Sequence, residues 1–99
     1  RERRLWVEQN FPNDREEDSI FGAVEELGEL AHHFLKRRQG IGGDGVDHRE
    51  EILVAVPDCV IFLAGVCDHE DADFGILVEE TWARVKARNW VADPARGGE

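Results

Sequence analysis

Apolar positions recur with a helical period in two parts of the chain. Between Ile20 and Gln39 they fall every three or four residues, the spacing of one helix face; they are Ile20, Val24, Leu27, Ala31, Phe34 and Leu35. Basic residues 36–38 and then Gly40 follow this stripe, which is typical of a helix C-terminus. A second stripe between Asp73 and Trp90 comprises Phe74, Leu77, Val78, Trp82 and Val85. The pattern therefore predicts two amphipathic helices.

Shorter signals place the ends of the other elements. Leu5–Phe11 is predicted to be a short helix or the end of one, stopped by the proline that follows it directly. Asp18 or Ser19 is predicted to cap the second helix, and Asp71 or Asp73 to cap the last, since short polar side chains accept hydrogen bonds from the free N–H groups of a first turn.

The segment Ile52–Cys67 is apolar on every side and therefore has no period to read. Its length favours a buried helix, which Pro57 would kink or begin. Its β-branched residues favour a hairpin instead, with strands Ile52–Val56 and Cys59–Leu63 joined at the proline. The residues alone leave both alternatives open.

The sum of these elements predicts an all-α bundle of four to five helices in a single domain, residues 1–99. Four glycines in residues 40–45 predict a loop, and residues 91–99 a loosely held tail. A helix that is apolar all round must be covered all round, and three other short helices can barely do so. We therefore expect a homodimer or a higher homo-oligomer.

The composition limits which binding partners and which cellular compartment are expected. The hydrophobic content of 41% is ordinary and predicts a packed core. The net charge of −10 argues against nucleic acid polymers and is compatible with divalent cations, or with a substrate whose charge a cation masks. No run of about 20 apolar residues stands out, so no membrane span is expected. Cys59 and Cys67 are expected to be buried thiols in a reducing cytoplasm.

Three carboxylates, Glu25, Glu26 and Glu29, become neighbours on a helix and have no Lys or Arg three or four positions downstream. Like charges at this spacing repel each other. Magnesium prefers carboxylate and water oxygens, so Glu26 and Glu29 could bind it together with Asp58, the only charged residue between Glu51 and Asp68. The alternative is an ordinary solvent-exposed acidic face, with Asp58 as a turn residue.

Lys86, Arg88 and Asn89 lie at the end of the last predicted helix. Cations are favoured at a helix C-terminus by the dipole, whatever their function. The functional alternative is that one or more of these side chains contact a polyphosphate.

Several stretches together resemble the MazG-like all-α nucleotide pyrophosphohydrolases. They are Glu-Glu-Leu-Gly-Glu-Leu-Ala from Glu25, Leu-Lys-Arg-Arg-Gln-Gly-Ile from Leu35, the Asp within the apolar run, and Val-Lys-Ala-Arg-Asn-Trp from Val85. The resemblance extends roughly from Trp6 to Pro94. It implies an oligomeric helical fold, a helix for the third segment, and Mg²⁺-dependent hydrolysis of (deoxy)nucleoside triphosphates or related nucleotides to monophosphate and pyrophosphate.

The metal motif of that family is E-x-x-E on one helix and E-x-x-D on the next. Glu26 and Glu29 match the first half and are implied to bind metal and to activate water, while Asp58 matches the last position of the second half. Lys86, Arg88 and Asn89 fall where relatives contact phosphate.

The second half of the motif is incomplete. Its Glu is replaced by Ala55, with Val54 and Pro57 beside it, and Glu51 one turn earlier is the candidate substitute. Two alternatives follow. One is an inactive relative that serves as a nucleotide-binding or protein-interaction module. The other is a small dimeric helical adaptor with a solvated acidic face.

Overall fold

The computed structural model describes residues 1–40 and 48–95. These residues form four helices and no strand: α1 (Glu2–Asn10), α2 (Glu16–Gln39), α3 (His48–His69) and α4 (Phe74–Lys86). The all-α prediction is confirmed. The ambiguous third segment is a helix, α3, that runs through Pro57, so the local loss of one backbone N–H does not end it.

The second helix begins earlier than the hydrophobic pattern predicts. The backbone N–H of Arg15 donates to the carboxylate of Asp18 at 2.9 Å, so Asp18 lies inside the first turn and secures the helix from there. Ser19, the other predicted cap, is a buried residue of α2. Gly40 ends the helix with φ 69, a left-handed conformation that favours glycine. The remainder of the predicted glycine loop lies outside the described residues.

The last helix begins at a predicted cap and is shorter than predicted. The Asp73 side chain accepts a hydrogen bond from the Ile76 N–H at 3.0 Å. The helix ends at Lys86 and not near Trp90, because the side-chain oxygen of Asn89 organises a separate turn that covers residues 89–92. Of the predicted tail, residues 96–99 lie outside the described part of the chain.

One helical hairpin forms the body of the molecule. α2 packs along α3, whereas α1 and α4 each contact α3 alone among the described elements. The chain is consequently flat and open, with extents of 47 × 46 × 19 Å. Its radius of gyration is 17.6 Å, whereas a compact domain of this length has about 13 Å.

The expected packed core does not form within one chain. Among the described residues, the buried apolar side chains are Ala23, Ile52 and Ala55. The α2 stripe is present, yet its large members are about half exposed, for example Leu27 at 56%. The stripe lies about 90° around the helix from the buried face at Ser19 and Ala23, counting about 100° per residue. The hydrophobic stripe and the face that packs on α3 are therefore different faces of α2.

The third helix is long and apolar enough, by length and composition alone, to cross a membrane, and 17% of its apolar window is buried. Two features of the fold oppose insertion. Asp58 lies in the middle of α3, where an ionised group in a bilayer costs about 2.5–3.5 kcal/mol. Glu26 of the packed α2 helix faces it and would enter with it.

Candidate functional site

Small residues let α2 and α3 approach closely. Gly22 lies under the ring of Phe62, and Gly65 lies under the hydroxyl of Ser19, so that a Cβ at either glycine would clash. The Cys59 thiol donates to the backbone oxygen of Ala23 at 3.6 Å. Residue numbers on α3 fall as those on α2 rise, so the two helices are antiparallel.

This register brings Glu26 opposite Asp58. Glu26 is half-buried on the face of α2 that packs on α3, and Glu29 lies at the edge of the same face. Partial burial raises the pKa of the Glu26 carboxyl above its ordinary value, and the negative charges of Asp58, Glu25 and Glu29 raise it further. The cluster therefore carries excess negative charge at the helix interface. A divalent cation or a proton would relieve it.

The structure brings together only part of the predicted ligand set. Glu26 faces Asp58 with Glu29 nearby, whereas the carboxylate of Glu51 lies 4.0 Å from the His33 ring nitrogen. Glu51 is seven residues from Asp58, about 10 Å along the helix axis. Within residues 1–40 and 48–95, no three His, Cys, Asp or Glu side chains are arranged as a metal-binding group.

Ala55 occupies the position where the complete motif has Glu. It is 5% exposed and lies three residues before Asp58, on the side of α3 that contacts α2. A carboxylate at this position would point into the interface close to Glu26 and Glu29. With alanine at this position, the acidic cluster lacks a fourth carboxylate that could bind a metal.

The predicted phosphate-binding residues lie elsewhere in the chain. Lys86 is the last residue of α4, and Arg88 and Asn89 follow the helix. The side-chain oxygen of Asn89 accepts hydrogen bonds from the N–H groups of Val91 and Ala92 at 3.1 and 2.9 Å, so this oxygen has a structural use. Because α4 does not approach α2, one protomer does not place Lys86 beside Glu26.

Two polar clusters were not foreseen from the sequence. At one end of the hairpin, the ring of His33 lies 5.7 Å from that of His32 and 6.0 Å from that of His48, measured between centroids. At the other end, His69 lies 2.9 Å from Asp14. The first cluster joins α2 to α3, and the second joins the connection between α1 and α2 to the end of α3. Only the antiparallel pairing of α2 and α3, together with the return of the α1–α2 connection to the end of α3, could have revealed them.

Comparisons with known proteins add no relative. No family model matches the chain, and neither the curated proteins nor the solved structures contain a significant match. The resemblance to the MazG-like enzymes therefore depends on the motifs alone.

Proposed function

We propose that this protein hydrolyses (deoxy)nucleoside triphosphates or related nucleotides to the monophosphate and pyrophosphate, with Mg²⁺ as cofactor. The observation that carries the proposal is the pairing of Glu26 with Asp58 across the α2–α3 interface, where the nearby charges that perturb Glu26 are all negative. Two facing helices that supply E-x-x-E and Asp reproduce three of the four carboxylates of the resembled motif.

Carboxylate oxygens are suitable ligands for a hard divalent cation, although this cluster offers only three carboxylates. Glu26, Glu29 and Asp58 would hold Mg²⁺, which commonly binds one or two carboxylates and keeps several waters. Bound Mg²⁺ would supply positive charge to the substrate phosphates. Glu26 and Glu29 are the candidates for the base, because both are carboxylates of the cluster that would hold the metal and its water.

In the proposed reaction, the oxygen of one water forms a bond to phosphorus as the bond to the pyrophosphate oxygen breaks. The carboxylate of Glu26 or Glu29 takes the proton of that water, and pyrophosphate leaves with the electron pair of the broken bond. Lys86 and Arg88 would contact the phosphates. Since α4 does not approach α2 within one chain, this contact requires a second protomer or a movement of α4.

We also propose that the working form is a cytoplasmic homodimer or higher homo-oligomer. The accessible surface of one chain is 7942 Å², about 2,200 Å² more than the ~5,700 Å² of a compact monomer of this mass. A specific interface buries about 800 Å² per partner. The excess therefore suffices for a large interface, and the exposed stripes of α2 and α4 supply its apolar part. Cys59 and Cys67 are free thiols, which suits a reducing compartment.

A second candidate function is favoured by Ala55 and by the lack of a complete metal-binding group in the described residues. In this alternative, the chain is an inactive relative that serves as a nucleotide-binding or protein-interaction module, and its exposed apolar faces suit a protein partner.

Calorimetric titration separates the two candidates. Mg²⁺ is titrated into the purified chain with and without a non-hydrolysable nucleoside triphosphate analogue, and pyrophosphate release is then measured over a panel of nucleotides. The enzyme proposal expects metal binding that strengthens with nucleotide and is lost in both Glu29→Gln and Asp58→Asn. Glu79→Gln, an equal charge change on α4, is the matched control and should bind as the wild type does. If no metal binds under either condition, the enzyme proposal is overturned and the interaction module is the better account.

A further inference from the structure

Histidine rings from two helices meet at the end of the hairpin where α3 begins. The ring of His33, on α2, lies 6.0 Å from the ring of His48, the first residue of α3, measured between centroids. The Nε2 of His33 lies 4.0 Å from a carboxylate oxygen of Glu51. Imidazole nitrogen and carboxylate oxygen are both ligands that bind Zn²⁺ in proteins. The chemistry of this cluster is therefore that of a transition-metal site.

The backbone places these three side chains beside one another. His48 and Glu51 are three residues apart on α3, so they are neighbours on one face of that helix. His33 contacts this face from α2. The pairing of α2 with α3 is the most extensive contact between elements in the described part of the chain. The position of the two histidines relative to each other is thus fixed by the best-packed part of the fold.

We propose that His33 and His48 bind a divalent transition-metal ion of the Zn²⁺ class, and that Glu51 and water complete its coordination. Metal–nitrogen bonds of about 2.1 Å place the centroids of two ligating rings roughly 5–6 Å apart. The pair in this structure is already close to that separation, at 6.0 Å. Binding therefore requires rotation of side chains and no movement of either helix.

The carboxylate is the ligand that has to move. Within residues 1–40 and 48–95, no three candidate ligands already surround one point. The donor atoms of His33 and Glu51 lie 4.0 Å apart, whereas two ligands of one tetrahedral zinc ion lie roughly 3.4 Å apart. The Glu51 side chain is 60% exposed, which leaves it room to close this gap. The histidine pair consequently carries the site, and Glu51 adds to it.

The pair across the helices is favoured over the adjacent pair His32 and His33. The His32 and His33 rings are also close, at 5.7 Å between centroids. His32, however, is exposed, whereas the His33 side chain is 21% exposed and its Nε2 lies on the side of Glu51. A histidine ligand binds metal through one ring nitrogen and commonly keeps a hydrogen bond at the other, which fixes the ring. Partial burial of His33 and His48 suits this arrangement.

Ligand chemistry separates this site from the proposed magnesium site. Imidazole nitrogen favours zinc, copper and nickel, whereas Mg²⁺ prefers carboxylate and water oxygens. Glu29, a member of the acidic cluster, precedes His33 by four residues, about 6 Å along the helix axis. Excess Mg²⁺ should therefore leave zinc on the histidines. Bound zinc would link α2 to the first turn of α3 and stabilise the folded hairpin, whether or not the protein hydrolyses nucleotides.

Calorimetric titration of Zn²⁺ into the full chain, with Mg²⁺ in excess, tests the proposal. The wild type should bind about one ion per chain. His33→Gln and His48→Gln should each weaken binding at least about tenfold, because a single imidazole no longer chelates the ion. Glu51→Gln should weaken it by a smaller factor. His69→Gln is the matched control, since His69 pairs with Asp14 at the other end of the hairpin.

Nitrogen NMR of the four histidine rings identifies the ligands in the wild type, without any substitution. Zn²⁺ should shift the ring nitrogens of His33 and His48 and leave those of His69 unchanged. This measurement decides the question even if a variant fails to fold.

Three outcomes would overturn the site. The first is an unchanged zinc affinity in both His33→Gln and His48→Gln. The second is a loss of binding in His32→Gln that His48→Gln does not share, which would place the ion on α2 alone. The third is a loss of binding in Asp58→Asn or in excess Mg²⁺, which would place zinc in the acidic cluster.

Discussion

The carboxyl of Glu26 faces Asp58 across the α2–α3 interface, and the two negative charges repel each other there. A hairpin that buries little apolar area gains nothing in stability from such a pair. In the proposed function, a bound cation would relieve this repulsion. The effect of this repulsion on the free energy of unfolding can be measured in the protein without metal.

The first prediction concerns the pH dependence of the metal-free chain. Because the folded pKa of Glu26 is raised, the folded state takes up a proton at a higher pH than the unfolded state. The free energy of unfolding should therefore rise as the pH falls from neutrality through that pKa. Asp58→Asn should raise the free energy of unfolding near pH 7.5 and flatten this rise. Urea unfolding between about pH 5 and pH 7.5 measures both effects.

The control for this experiment is Glu79→Gln, which changes the net charge equally on α4, away from the pair. If it stabilises the chain as much as Asp58→Asn does, the effect arises from net charge and the local pairing is contradicted. Mg²⁺ offers a second check, because bound metal should stabilise the wild type more than Asp58→Asn.

The second prediction restores the missing carboxylate. Ala55 is 5% exposed, so Ala55→Glu adds an unpaired charge to the interface and should lower the metal-free free energy of unfolding by at least about 1–3 kcal/mol. Mg²⁺ should recover this loss. Pyrophosphate release should rise at least about tenfold, which corresponds to ~1.4 kcal/mol of transition-state stabilisation.

Ala55→Gln separates the effect of volume from that of charge, because glutamine has nearly the same size as glutamate but no ionised group. It should destabilise the chain without any recovery by Mg²⁺. Recovery in both variants would mean that the metal acts at another place. Recovery in Ala55→Glu without a gain in activity would favour the nucleotide-binding module.

The helices were predictable because their signals are local. The period of the α2 and α4 stripes, Asp73 as a cap and Gly40 as a stop all act within a few residues of the chain. The α3 helix was less certain, because an apolar run that contains Pro57 has neither a period nor a clear end. Its packing against α2 favours the helix.

The packing faces were not predictable from hydrophobicity. The sequence pattern favours the Leu27 face of α2 as the buried one, whereas the chain packs through Ser19, Gly22 and Ala23. Small residues carry a weak hydrophobic signal, yet they permit the closest approach of two helices. The same register explains why Glu26 and Asp58 meet while Glu51 is directed to His33.

The third prediction concerns the proposed dimer. Leu27 is 56% exposed in one chain, so Leu27→Asp should leave the helix intact in a monomer. If the α2 stripe forms the interface, the substitution should weaken self-association at least about 30-fold, as expected of a central apolar residue. Sedimentation over a range of protein concentrations measures the effect. Val91→Asp, at a residue that is 94% exposed, is the control. A monomeric wild type, or unchanged association of Leu27→Asp, would contradict the prediction.

The fourth prediction tests the close contact of α2 with α3, using two glycines of the same helix. A Cβ at Gly22 would clash with the ring of Phe62, whereas a Cβ at Gly28 would meet nothing within 4 Å. Gly22→Ala should therefore lower the free energy of unfolding by about 1–3 kcal/mol, because the helices must separate or the ring must leave its rotamer. Gly28→Ala should raise it by about 0.5–1 kcal/mol, because alanine loses less backbone entropy in a helix.

Thermal or urea unfolding of the two variants gives the sign of each effect directly. Opposite signs would establish that the helices meet at Gly22, and hence that the register places Glu26 beside Asp58. If both variants are more stable than the wild type, Gly22 is not at a close contact and the α2–α3 register is wrong. The Glu26–Asp58 pair would then lose its structural basis, and the proposed metal site would fail with it.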